Sequence, residues 1–210
     1  MTRRLVLLGG LLVVCAVPPA RAGCPGEMEI LAGVDDSFLL PTEPTFPSEE
    51  LVEYTDLSWP QPTYRTFDLV ATDAALIHTF SGWDDEPICG ASVELRLRGG
   101  PSSLSNNDSV RFELIGGDDH QQAFRYWTTI RFVVGAWGPG AEAVVELDLA
   151  DLPPYVNFPT NILADLQDGD LDLLVEDDTA VDYAELELCP CETVAVEPAS
   201  WGRIKARYRP

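Results

Sequence analysis

Apolar and polar residues alternate with period two through the middle and end of this chain, which is the signature of strands with one buried face. Residues 91–98 place Ala91, Val93, Leu95 and Leu97 on one side, and residues 109–115 do the same with Val110, Phe112 and Leu114. Further runs cover residues 76–80, 124–134, 143–149, 171–175 and 181–188. Turn signals separate them: Gly99-Gly100-Pro101, Asn106-Asn107-Asp108, Gly116-Gly117-Asp118-Asp119, Gly138-Pro139-Gly140 and Asp168-Gly169. Seven short strands in about 120 residues predict an all-β, two-sheet antiparallel sandwich rather than a parallel α/β core. One short helix is expected over residues 160–167, with Thr160 or Asn161 as its N-cap.

The ends of the chain read differently. Arg3 and Arg4 precede an apolar run that stops at Pro18-Pro19, and Ala20-Arg21-Ala22 supplies small residues for cleavage, so residues 1–22 read as an export signal. That run is too short to span a bilayer, and no other stretch of the mature chain is long enough. Residues 23–66, rich in proline, read as an extended lead-in, residues 67–192 as the sandwich domain, and residues 193–210 as a basic tail. The tail resembles those of some exported envelope proteins, which implies sorting or surface attachment; the alternative is a frayed terminus resting on its own acidic body.

Export bears on the cysteines. Without Cys15, four remain: Cys24, Cys89, Cys189 and Cys191. An oxidising compartment favours two disulfides, and the spacing of Cys189 and Cys191 argues that each pairs with one of the distant two. Lipidation of Cys24 and a four-thiolate zinc site are the competing readings.

Charge narrows the partners. The chain carries 13 basic and 35 acidic residues, a net −22; cleavage removes Arg3, Arg4 and Arg21 and leaves −25. Such a body repels nucleic acid and anionic membranes and suits divalent cations or a saline medium.

The final two runs, DLDLLVEDDTAVDYAELEL, carry the most specific signal. Parity sets Asp182 beside Ala184, Leu186 and Leu188, and a buried carboxylate needs a partner or a metal. Together with ASVELRLRGG and NNDSVRF, this run resembles a group of uncharacterised secreted bacterial jelly-roll proteins over residues 67–189, a likeness that brings no known activity. The VDYAEL strand is also similar to the last strand of galactose-binding-like carbohydrate-binding modules, whose matching aspartate holds a structural calcium. That likeness implies calcium at Asp182, and Asp68 and Asp73 are expected to add ligands. The alternative is that Asp182 accepts backbone hydrogen bonds. An EF-hand opening at Asp168-Gly169-Asp170 fails, because Leu173 stands where glycine is needed and Thr179 where glutamate is needed; Asp170 and Asp172 then read as the wet face of a strand.

The outward faces hold Arg96, Arg98, Arg111, Arg125 and Arg131 with Glu94, Glu113 and Glu146, a pattern of cross-strand ion pairs. Trp127, in parity with Arg125 and Arg131, is a candidate stacking platform for a glycan, or else packs under the lead-in. Catalytic chemistry is thin. His78 reads as a packed histidine and His120 as a loop residue, and no nucleophile elbow or zinc-protease motif is present. The Glu146, Asp148, Asp151 spacing is similar to the catalytic strand of laminarinase-type glycoside hydrolases, which implies a jelly-roll hydrolase as the alternative to a noncatalytic, calcium-stabilised binding or envelope protein.

Overall fold

The computed structural model describes residues 24, 26–39, 63–69, 74–83, 86–104, 107–115 and 124–191. The expected signal, most of the lead-in, Asp73, Trp59, His120 and the tail lie outside the described residues.

Among the described residues, nine strands form two sheets. One has the order β1 (Met28–Gly33), β9 (Thr179–Pro190), β4 (Ile88–Gly99), β7 (Glu142–Asp148); the other has β2 (Thr63–Arg65), β3 (Ala74–Ser81), β8 (Asp170–Asp177), β5 (Ser109–Leu114), β6 (Phe124–Thr129). Every pairing is antiparallel except the three-residue contact of β2 with β3. With β2 set aside, the two four-stranded layers and the insertion of the last strand between the first and the fourth make this the jelly-roll arrangement that closes two Greek keys on each other.

The predicted parity builds the core. Val93, Leu95 and Leu97 from β4, Val110 and Phe112 from β5, Leu171, Leu173 and Val175 from β8, and Leu186 and Leu188 from β9 meet between the sheets, each at most 1% exposed. Ala75, Ile77, Phe124 and Leu174 make a smaller apolar group on the far side of the five-stranded sheet, where Ile77 and Leu174 are cross-strand partners. Arg98 and Glu142 face each other across β4 and β7 and form an outward ion pair at 2.8 Å, with Glu142 in place of the acids named from the pattern.

Four features depart from the sequence reading. The segment read as an irregular lead-in contributes β1, whose half-buried MEILAG run lacks clean alternation because it is an edge strand beside β9. The run expected to continue as a strand to residue 134 ends at Thr129, and Ile130–Val134 forms helix α1, held at its start by Ile130 N–H donating to Asp108 O at 2.9 Å. Residues 160–167 give only a 3-10 turn, Asp165–Asp168, closed by Gly169 at φ +94°. Arg111 does not face solvent: it forms a largely buried pair with Glu176 at 2.6 Å, both side chains under 15% exposed.

Two disulfides, Cys24–Cys189 and Cys89–Cys191, tie β9 and the residue after it to the N-terminal segment and to β4. They consume the thiolates that a zinc site needs.

The Asn-Asn-Asp turn and the acidic turn between β8 and β9 meet in space. Asp108, fully buried, accepts from Trp137 Nε1 at 2.7 Å, Thr179 Oγ1 at 2.5 Å and Leu104 N at 3.3 Å, while Asn107 Nδ2 donates to Asp177 and Ser103 Oγ to Asp178 O. Arg65, 3% exposed, bonds the carbonyls of Val175 and Asp177 and lies in the field of Asp108, Asp178, Asp177 and Glu176. Burial brings it down to about 10, so it keeps its charge at neutral pH. Replacing Asp108 by alanine strands the Trp137 and Thr179 donors in the interior. The expected loss is about 3 kcal/mol of unfolding free energy, read from urea denaturation, because an unsatisfied buried polar group costs about 1–3 kcal/mol.

Candidate acidic cation site

The ladder between β4 and β9 is broken at the residue the sequence singles out. Leu95 pairs Ala184 and Leu97 pairs Val181, so three residues of β9 span two of β4. This bulge hands the core position to Val181, 1% exposed, and corrects the parity argument that set Asp182 on the apolar side. Asp182 is nevertheless fully buried: Oδ1 accepts Phe38 N–H at 2.7 Å, and Oδ2 lies 3.0 Å from the Arg96 guanidinium without a hydrogen-bonding geometry to it.

Two loops close on the bulge. After β1, Gly33 at φ +84° packs so tightly that a Cβ there would sit 2.5 Å from Asp182 O and 2.6 Å from the Phe67 ring, so only glycine fits. The chain then turns through Ser37 and Phe38, both at positive φ, and Asp36 Oδ1 accepts Leu39 N–H at 2.8 Å. From the other side, Asp68, at φ +67°, donates its N–H to Val181 O at 2.7 Å. One carboxylate oxygen each from Asp36, Asp68 and Asp182 thereby come within 4.8 Å of one another. Asp68 is 8% exposed, and its Oδ1 is buried without a hydrogen-bond partner.

Three carboxylates this close repel. Arg96 bonds Asp35 at 2.5 Å as well as approaching Asp182, and Arg98, already paired with Glu142, stacks on the Phe38 ring at 4.0 Å. The guanidiniums leave an excess of negative charge. Burial first, then Asp36 and a hydrogen bond to Asp182, push the Asp68 carboxyl up to about 7. A proton on Asp68 is one way to relieve the cluster. A hard cation is the other, since carboxylate oxygens are the ligands calcium prefers.

Of the three expected metal ligands, Asp182 and Asp68 converge, Asp73 lies outside the described residues, and Asp36 is the member that sequence reasoning missed. The cue for Asp36 was slight: an aspartate before serine in a segment read as irregular. Trp127 is half-buried, held edge-on by Tyr155 at 4.9 Å and Phe158 at 6.1 Å, with Arg111 5.8 Å from its ring. Arg125 is engaged by Asp165 at 2.7 Å, and Arg131 belongs to helix α1 rather than to the strand row. Glu146 stands exposed on the edge strand β7, opposite Glu94. Asp148 Oδ1 accepts Ala150 N–H at 2.9 Å to cap the turn that carries exposed Asp151. His78 packs edge-on between Phe67 and Phe80, and burial lowers its pKa, as a packed histidine should behave.

No protein-family model matches the chain, and a search of curated proteins finds no significant match.

The raised Asp68 carboxyl fixes a pH dependence. Its folded pKa of about 7 exceeds the ordinary aspartate value of 3.8, so the folded state keeps a proton that the unfolded chain has released. In chelator, the stability that Asp68 contributes is present below about pH 4 and declines as pH rises to about 7. Asn mimics the protonated acid and tolerates positive φ, so Asp68→Asn is expected to remove that part of the pH slope. Urea midpoints measured across the window for both proteins check it; equal slopes would exclude the assignment.

Proposed function

We propose that this chain is an exported, noncatalytic jelly-roll protein of the cell envelope or its surroundings, stabilised by calcium held at Asp36, Asp68 and Asp182. One observation carries the reading: three carboxylates converge at a β-bulge, with the Asp68 and Asp182 side chains more than nine-tenths buried and each leaving one oxygen without a hydrogen bond. Calcium accepts six to eight oxygen ligands in flexible geometry, so a site assembled from two loops and a strand suits it better than magnesium, which demands a near-ideal octahedron. The cation ties the loop after β1 and the loop after β2 to β9, joining elements from opposite ends of the chain and from both sheets. The two disulfides fit an oxidising compartment, in keeping with the export signal. No helix among the described residues is long and apolar enough to cross a membrane.

A glycan partner is the second reading, and the aromatic group at the end of β6 supports it. Edge contacts run in a chain from Phe158 to Trp127, from Trp127 to Tyr155 and from Tyr155 to the half-exposed Phe132. Such rings offer apolar faces to sugars. A purely structural protein migrates unretarded through polysaccharide gels, whereas a glycan site retards it and Trp127→Ala restores migration. The hydrolase alternative rests on Glu146, Asp148 and Asp151 alone and requires release of reducing sugar that Glu146→Gln abolishes.

The metal reading has a direct test. Calcium at about 100-fold over its dissociation constant adds about 2.7 kcal/mol, worth about 5–10 °C in Tm for a domain of this size. Thermal melting of the oxidised protein should show that rise with calcium and not with sodium chloride of matched ionic strength, and Asp182→Asn should lose it. Equal stabilisation by sodium chloride would reduce the effect to screening of an acidic surface.

A further inference from the structure

A second group of acids sits on the other sheet. The β5–β6 ladder passes over Glu113 without a change of register: Phe112 pairs Tyr126 and Leu114 pairs Phe124, while pairing of β5 with β8 ends at Phe112 and Leu173. Its backbone is at φ +59°, a conformation that a non-glycine residue adopts at a cost of about 1 kcal/mol or more. The sequence pattern set this side chain on the wet face; it is instead 6% exposed, with Oε2 buried and without a hydrogen-bond partner.

That carboxylate is aimed at two more. Gly169, at φ +94°, reverses the chain between the 3-10 turn and β8, and one oxygen each of Glu113, Asp168 and Asp170 lie within 4.8 Å of one another. The nearby charge balance is lopsided. Glu113 also feels Asp172 and Asp165, and the Arg125 guanidinium is bonded to Asp165 Oδ1 at 2.7 and 2.9 Å. Burial and these neighbours push the Glu113 carboxyl up to about 8. A strained backbone that buries a carboxylate among like charges, with Arg125 the cation in its field but bonded to Asp165, is an arrangement that a bound cation stabilises.

We propose that Glu113, Asp168 and Asp170 form a second binding site for a hard divalent cation, calcium in the first instance. All three donors are carboxylate oxygens, which disfavours zinc and copper. Asp168 is exposed and provides the entry side, while Glu113 is the buried anchor. Bound there, the cation fastens β5 to the start of β8. The site shares no residue with the Asp36, Asp68, Asp182 cluster and lies on the other sheet, so it stands or falls independently of that reading.

Calorimetric titration of the oxidised full chain with calcium alone, at mildly alkaline pH, counts the sites. Two equivalents are expected for the wild type. Glu113→Gln and Asp168→Asn should each leave one, or weaken one by at least about 10-fold; Asp182→Asn should remove the other. Because Asp168 is exposed, its variant keeps the test open if Glu113→Gln does not fold. Tryptophan-sensitised terbium luminescence gives a second readout, since Trp83 Nε1 donates at 2.8 Å to Leu166 O, two residues from Asp168. A single equivalent lost in Glu113→Gln and kept in Asp182→Asn supports this site while removing the other. A count unchanged by both Glu113→Gln and Asp168→Asn, or a single equivalent that only Asp182→Asn removes, overturns it, as does no binding at all.

Discussion

The fold depends on the seating of β9 between β1 and β4. This strand pairs with β4 from end to end and with β1 over Tyr183–Leu188, and it contributes Val181, Ala184, Leu186 and Leu188 to the core. It comes last in the sandwich and lies against the first strand, so its contacts are non-local and their loop-closure entropy must be overcome late. Cys24–Cys189 joins residues 165 apart in sequence at the far end of the same ladder, and Cys89–Cys191 pins the strand's exit to β4. Cross-links over loops of this length remove the most freedom from the unfolded chain on the chain-entropy account. The placement of the disulfides therefore answers the weakest point of the topology.

The other end of β9 is secured by polar contacts. Thr179 and Asp178 enter the buried network around Asp108, and Arg65 reaches across from β2 to the β8 carbonyls. In a chain with 13 bases against 35 acids, guanidiniums are scarce. Arg65 and Arg111 are both committed to the interior of the five-stranded sheet, where burial makes each charge more effective. That allocation leaves fewer bases elsewhere, and the acids of the two loops around Asp182 and of the segment around Glu113 outnumber the guanidiniums beside them.

Parity made the inner faces of β4, β5, β7, β8 and β9 legible, because each strand buries one side against the opposite sheet and the period-two signal is then strong. It failed at edges and at breaks. The edge strand β1 shows little alternation, and β6 runs into a helix because Thr128 and Thr129 give no stop signal that differs from strand residues. Asp108 was read as one polar residue of an Asn-Asn-Asp turn; its role depends on Trp137 and Thr179, which are distant in sequence. Asp182 and Asp68 do come together, but not for the reason that parity gives. The parity that set Asp182 inward is reversed by a bulge, and its burial comes from the loop carrying Asp36 and Phe38 and from Arg96.

Both acid clusters fall where a ladder shifts or ends, and there is a physical reason. In a regular antiparallel sheet successive side chains point to opposite faces, and direct cross-strand neighbours stand about 5 Å apart at Cβ. Two carboxylates can meet on such a surface, but a third arrives only if the register shifts or a loop folds back over the strand. The β9 bulge and the loops after β1 and β2 do this for Asp182, Asp36 and Asp68; the positive φ at Glu113 and the reversal at Gly169 do it for the other set. The bulge interrupts the β4–β9 ladder and the β5–β6 ladder passes over Glu113, and in each place a carboxylate is buried where, among the described residues, acids outnumber the guanidiniums. A cation bound at each place, as proposed, would both neutralise the acids and bridge the segments that carry them.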